Sequence, residues 1–200
     1  MRLLSAALLV AAAGAGIAWA AGPSIRPGVG IAPIRLGMTE AELRVAIGRP
    51  EASHREPSTF GRVRAVLQYD GATYTVILDG RPGALRVTAV STTLARHRSP
   101  EGFGVGTPER TLRARFGSRV RCEPLNTVAS SEGPFVARNQ RWRRCIVPGP
   151  RATQVVWFTN LPQELTKQLP FVRVSEWNRR ARVVEVVVRT AGSSATHFGL

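Results

Sequence analysis

The chain has 200 residues, 44% of them hydrophobic, and a formal net charge of +15. That hydrophobic share excludes a chain disordered throughout, and the length allows one large core or two small ones. Lys167 is the only lysine, so nearly all the positive charge is arginine; a surface for polyanions and the codon habit of a GC-rich genome both give that pattern.

In chain order, residues 1–20 come first and carry the marks of a signal peptide. Arg2 supplies the charge, an alanine-rich apolar stretch runs to Ile17, and Ala18-Trp19-Ala20 has small-x-small spacing. Cleavage after Ala20 is expected, placing the mature protein in secreted, periplasmic or cell-envelope space. The alternative is an uncleaved anchor, since residues 3–21 are just long enough to span a bilayer.

The next element is a short helix. Thr39 is its predicted N-cap with Glu42 at capping-box spacing, Gly48 closes it, and Pro50 stops it from resuming. Leu43 and Ile47 stand four apart and form one buried stripe. Strands follow: Val63, Ala65, Leu67 and Tyr69 alternate with Arg62, Arg64, Val66 and Gln68, and Asp70-Gly71 turns the chain into Tyr74, Val76 and Leu78. A third strand sets Leu85, Val87 and Ala89 against Arg86, Thr88 and Val90. One face is expected on the helix, the other, rich in arginine and threonine, toward water or a partner. Ala95-Arg96-His97-Arg98-Ser99-Pro100 is a predicted linker.

A second helix then repeats the first. Gly37-Met38-Thr39-Glu40 through Ile47-Gly48 aligns without gaps on Gly106-Thr107-Pro108-Glu109 through Phe116-Gly117. Both glycines, Glu40 with Glu109, Leu43 with Leu112 and Arg44 with Arg113 are identical. Thr107 is the expected cap, Pro108 the first helical residue and Gly117 the terminator. After a polar loop at 123–140 come strands at 141–147, 153–159 and 182–190, the last with Val184, Val186 and Val188 on one face. An insertion at 160–180 carries Leu165, Leu169, Phe171 and Trp177, and residues 191–200 are a flexible tail. The expected fold class is therefore α+β: two diverged helix-plus-antiparallel-sheet repeats, at 28–94 and 101–190, with short helices packed on one sheet face.

Cys122 and Cys145 are the only cysteines. In an exported chain they pair, and a loop of that length gives about 3 kcal/mol of stabilisation. His54, His97 and His197 lie singly and far from them, which fits solvated loop residues better than a metal site. No metal or cofactor is expected.

The string Leu36-Gly37-Met38-Thr39, followed by Glu42-Leu43, Ile47-Gly48, Pro50 and a Tyr69-containing hairpin, resembles the module of two families. These are the small outer-membrane assembly lipoproteins of the SmpA/OmlA (BamE-like) type and the tandem-module β-lactamase inhibitor protein. The resemblance implies a module used for binding. The lipid-attachment cysteine is missing, and the predicted open sheet face has few aromatics, so neither membrane tethering nor β-lactamase inhibition carries over.

Catalytic motifs are missing too: there is no G-x-S-x-G elbow, no H-E-x-x-H and no Walker loop, and Asp70 and Asp79 sit beside glycines at turns. A non-enzymatic function is expected. The best candidate contact is Arg141-Trp142-Arg143-Arg144, where guanidinium groups flank an indole as in sites for anionic ligands. The alternative is a strand beside a buried cysteine, with Trp142 in the core. The expected partner is another envelope or secreted protein; the alternative is an anionic polymer held by an arginine-rich surface.

Overall fold

A computed structural model describes residues 23–124, 142–161 and 179–193. The expected signal peptide, Arg141, most of the 123–140 loop and of the 160–180 insertion, and the end of the tail lie outside them.

The fold is mostly β, which corrects the expected pair of helix-plus-sheet repeats. Among the described residues, eleven strands form two antiparallel sheets, joined by two eight-residue α-helices. The small sheet orders β1 (Ile25–Arg26), β2 (Gly30–Ile31) and β3 (Ile34–Arg35). The large one holds eight strands: β4 (Ala52–Pro57), β5 (Val63–Tyr69), β6 (Tyr74–Gly80), β7 (Arg86–Thr92), β8 (Arg121–Pro124), β9 (Trp142–Pro148), β10 (Thr153–Asn160) and β11 (Arg182–Thr190). Their spatial order is β4-β5-β6-β7-β11-β10-β9-β8.

The seam between the two halves explains the difference. Two separate modules would each leave a bare inner edge of unpaired N–H and C=O groups. Here β7 and β11 pair instead, with Val188 opposite Val90 and Val186 opposite Thr92, so one sheet runs through the molecule.

Helix α1 (Glu40–Ile47) is capped as its sequence requires. The Glu42 amide donates to Thr39 Oγ1 at 3.2 Å and the Thr39 amide donates to Glu42 Oε2 at 2.7 Å. These bonds to Thr39 hold the Glu42 carboxyl below its usual range. Helix α2 (Glu109–Phe116) starts differently. Pro108, not Thr107, is its N-cap, and its ring carries no hydrogen-bonding group. Thr107 Oγ1 accepts from the Gly104 amide at 3.0 Å, which fixes the turn before the helix. Gly48 and Gly117 both stop their helices at positive φ, 85° and 54°, where a Cβ is disfavoured.

Leu43 and Leu112 are fully buried against the sheet, with Ile47 and Phe116 beside them. The small sheet adds Ile25, Ile31 and Ile34 to the same core. The opposite sheet face is not the open arginine and threonine surface expected. At its centre Ile77, Ala89, Val156, Phe158 and Val187 form a second buried cluster. Two β-bulges redistribute the residues. One, at Ile77/Leu78, brings Val90 rather than Ala89 into line with Val87; the other, at Phe158/Thr159, puts Val183 in the main core and Val184 on the second face.

Part of the predicted linker is buried, while Ala95, Arg96 and Pro100 are exposed. Ser99 and His97 are buried, the latter 6% exposed, and the Ile25 amide donates to the Arg98 carbonyl at 2.9 Å. His97 Nε2 shares a hydrogen bond with the Tyr74 hydroxyl, while Nδ1 has no partner among the described residues. Burial, with a smaller contribution from Arg96, lowers the His97 pKa. The unfolded chain therefore takes up a proton that the folded one resists. Stability is full above the ordinary histidine range and declines as pH falls through it toward the lowered folded value. Urea midpoints should fall between pH 7.5 and 5.5, and His97→Gln should remove most of that drop; an identical drop in both proteins would locate the acid sensitivity elsewhere.

Candidate functional site

The arginines expected to meet a ligand are engaged with carboxylates. Arg143 and Arg144 are neighbours on β9 and point to opposite faces. On the helix face, Arg143 Nη1 lies 3.4 Å from Glu109 Oε1; on the other, Arg144 Nη2 lies 2.6 Å from Glu123 Oε1. Trp142 is half-buried, and Arg141 lies outside the described residues. Alternation along one strand therefore splits the predicted patch between two structural ion pairs.

Glu109 is the centre of the first. It is 0% exposed, accepts from Thr159 Oγ1 at 2.7 Å, and pairs with Arg113 Nη2 at 2.8 Å as well as with Arg143. Burial pulls the Arg143 guanidinium below its ordinary range, and the Glu109 carboxylate opposes that shift. Cys122 and Cys145 form a disulfide directly across the β8–β9 ladder. The Glu109 carboxylate and both sulfurs lie within 4.8 Å of one another. Oxidised sulfurs are not thiolates, so in this state the trio offers one strong metal ligand.

Two other features stand out. The first is a cleft of about 290 Å³, near the lower end of small-molecule sites. Phe116 and Arg119 close one side, the β9–β10 turn with Pro148 and Pro150 another, and Val147, Val155 and Trp157 line it from the sheet. Pro27 completes the wall: a Cβ on its neighbour Gly28 would sit 2.6 Å from Pro150 Cγ, so only glycine lets the two turns meet this closely. Phe103 packs edge-on against both Phe116 and Trp157, fixing the two rings. At the rim, Ser99 Oγ donates to Glu101 Oε2 at 2.7 Å, while Arg119 is exposed and makes no ion pair among the described residues.

The second is the far sheet edge. Among the described residues, strand β4 pairs with β5 alone, and most of its residues are exposed. The hairpin ends in a 3-10 turn (Thr59–Gly61) where Phe60 is 99% exposed at φ 58° and ψ 43°. A bulky aromatic in the left-handed region and in water is doubly unfavourable for the isolated chain. Sequence reading passed over both features. An aromatic beside glycine in Ser58-Thr59-Phe60-Gly61 was the available signal for the edge. The cleft had none, because its walls come from five separate stretches.

No helix among the described residues is long and apolar enough to cross a membrane. The disulfide accords with an oxidising compartment outside the cytosol. No protein-family model matches the chain, and neither does any curated protein. Two solved structures are similar. One is the uncharacterized protein yfeY from Escherichia coli, at 12% identity and TM-score 0.44, covering 84% of this chain and 98% of that one. The other is an extracellular protein containing a SCP domain from Bacillus anthracis, at 11% identity and TM-score 0.41, covering 78% of this chain and 44% of that one. The chain thus spans less than half the length of the second. Both likenesses are distant, and no residue role is carried over from either.

Proposed function

We propose that the chain is an exported, non-catalytic binding protein that engages another secreted or envelope protein through the β4–β5 edge. The observation that carries this reading is Phe60, held in an unfavourable backbone conformation with its whole ring in water at the tip of an edge hairpin. Exposed aromatics of this kind serve as anchors in protein interfaces, and the unpaired backbone groups of an edge strand can accept a strand from a partner. The signal-peptide pattern of residues 1–20 and the disulfide support export, and the resemblance of the Leu36-Gly37-Met38-Thr39 segment to tandem binding modules supports the role.

The mature protein should capture a discrete partner from cell envelope or culture supernatant. Phe60→Gly should weaken that capture by about thirtyfold, the effect of losing a central aromatic anchor. It should leave the thermal midpoint nearly unchanged, because glycine adopts positive φ freely. Equal capture of the same partner by both proteins would remove this edge from the interface.

A further inference from the structure

We infer that the outer face of α2 and the turn that follows it bind a flexible linear polymer of phosphate groups. This goes beyond the protein partner proposed above and rests on different residues. Arg110, Arg113, Arg115, Arg119 and Arg121 are all exposed, and no aspartate or glutamate lies between the first and the last. A general arginine preference does not account for them, because the chain carries its own control. In the register of the two aligned helix segments, residues 109–121 hold five arginines and one glutamate, whereas residues 40–52 hold two arginines and three glutamates. Codon habit acts on both segments alike, so the excess of positive charge is particular to α2.

The fold withdraws the one acid from that surface. Glu109 turns inward to Arg143 and Thr159, and of the five arginines it meets only Arg113. Its counterpart Glu40 stays near the surface of α1 and pairs with Arg44 and Arg55. Arg121 shares Glu123 with Arg144, Glu101 lies across the cleft rim from Arg119, and Arg110, Arg115 and Arg119 make no ion pair among the described residues. Arg110 and Arg113, three apart on one helix, repel each other, and the helix dipole opposes a cation in the first turn. An anionic partner relieves both. Shape selects which one: Arg113 and Arg115 stand about 160° apart around the helix axis, so a flat lipid surface meets one flank while a flexible chain follows the convex face to both. Phe116 is the one aromatic in this segment and is half-buried, so the contact is with charge and not with stacked bases. Guanidinium groups donate paired hydrogen bonds to phosphate, and a backbone of phosphates sets its charges closer together than the side chains of an acidic peptide.

Fluorescence polarisation of end-labelled polyphosphate, titrated with the mature protein across a salt series, tests this. Binding should weaken linearly in log K against log salt. The triple variant Arg110→Gln, Arg115→Gln, Arg119→Gln should weaken it by about tenfold or more and lower the salt slope by about two. Arg49→Gln, Arg81→Gln, Arg96→Gln removes the same charge elsewhere and should weaken it by less than about threefold. All six arginines are exposed, so both variants should keep the wild-type thermal midpoint. Equal losses in the two variants would make net charge the cause and overturn the α2 site, as would no salt-dependent binding at all. Equally tight binding of polyglutamate would overturn the phosphate assignment. Binding to vesicles of anionic phospholipid without binding to polyphosphate would put a membrane in place of the polymer and overturn the proposal. Phe60→Gly should bind polyphosphate as the wild type does, so failure here and failure of the edge interface are read separately.

Discussion

Replacing Glu109 with alanine should lower the free energy of unfolding by about 3 kcal/mol or more, the usual penalty for breaking a buried ion pair. Glu109 is 0% exposed and holds three groups at once: Arg113, Arg143 and the Thr159 hydroxyl. Arg113 reaches water and gives up little when the carboxylate goes. Arg143 is different: its side chain is 15% exposed, and burial already works against its charge. Removing Glu109 strips it of this carboxylate in a place where water cannot fully substitute. Urea unfolding followed by circular dichroism measures the loss. The double variant Glu109→Leu with Arg143→Met should recover at least half of it, since an apolar pair of similar volume tolerates the site. A single-variant loss below about 1 kcal/mol would place this pair with ordinary surface salt bridges.

Breaking the Cys122–Cys145 bond should cost a similar amount, about 3 kcal/mol, because the link closes a loop with a sequence separation of 23. The bond joins β9 to β8, the last strand at that edge of the sheet. Without it, β8 is tied to β9 by its ladder bonds and by the Glu123–Arg144 pair, while Glu123–Arg121 lies within β8 itself. The double variant Cys122→Ser with Cys145→Ser should show a lower urea midpoint than the oxidised protein and no response to dithiothreitol. If reduction leaves the wild-type midpoint where it was, β8 is held by its other contacts.

Much of the sheet was legible in the sequence because its strands follow a period of two. Strands were expected at Val63 to Tyr69 and at 182–190, and β5 and β11 occupy those bounds. What alternation could not show was where it slips. Each bulge adds one residue to one strand, and a one-residue slip moves every later side chain to the other face. That is why Ala89 and Val184 lie on the face opposite to the one expected. The small sheet was missed for a simpler reason: strands of two residues have no measurable period. The single continuous sheet was missed because β7–β11 pairing joins residues nearly a hundred positions apart.

The candidate site was less legible than the fold. Glu40 and Glu109 occupy matching positions in the aligned helix segments, and sequence treats them alike. In the structure the Glu40 side chain is 31% exposed and pairs with Arg44 and Arg55, whereas the Glu109 side chain is wholly buried. Burial depends on what the rest of the chain lays over a residue, which no local pattern records. The same holds for Arg143 and Arg144. Arginine beside tryptophan reads as a ligand surface until Glu109 and Glu123 arrive from elsewhere in the chain.

The position of β11 between β7 and β10 has a consequence for how the protein is made. Among the described strands, the one that comes last in sequence sits in the middle of the sheet, so the β4–β7 and β8–β10 halves are joined only by residues 182–190. Contacts that span most of the chain form slowly. A polypeptide wired this way completes its sheet only once its last described strand has paired with both halves.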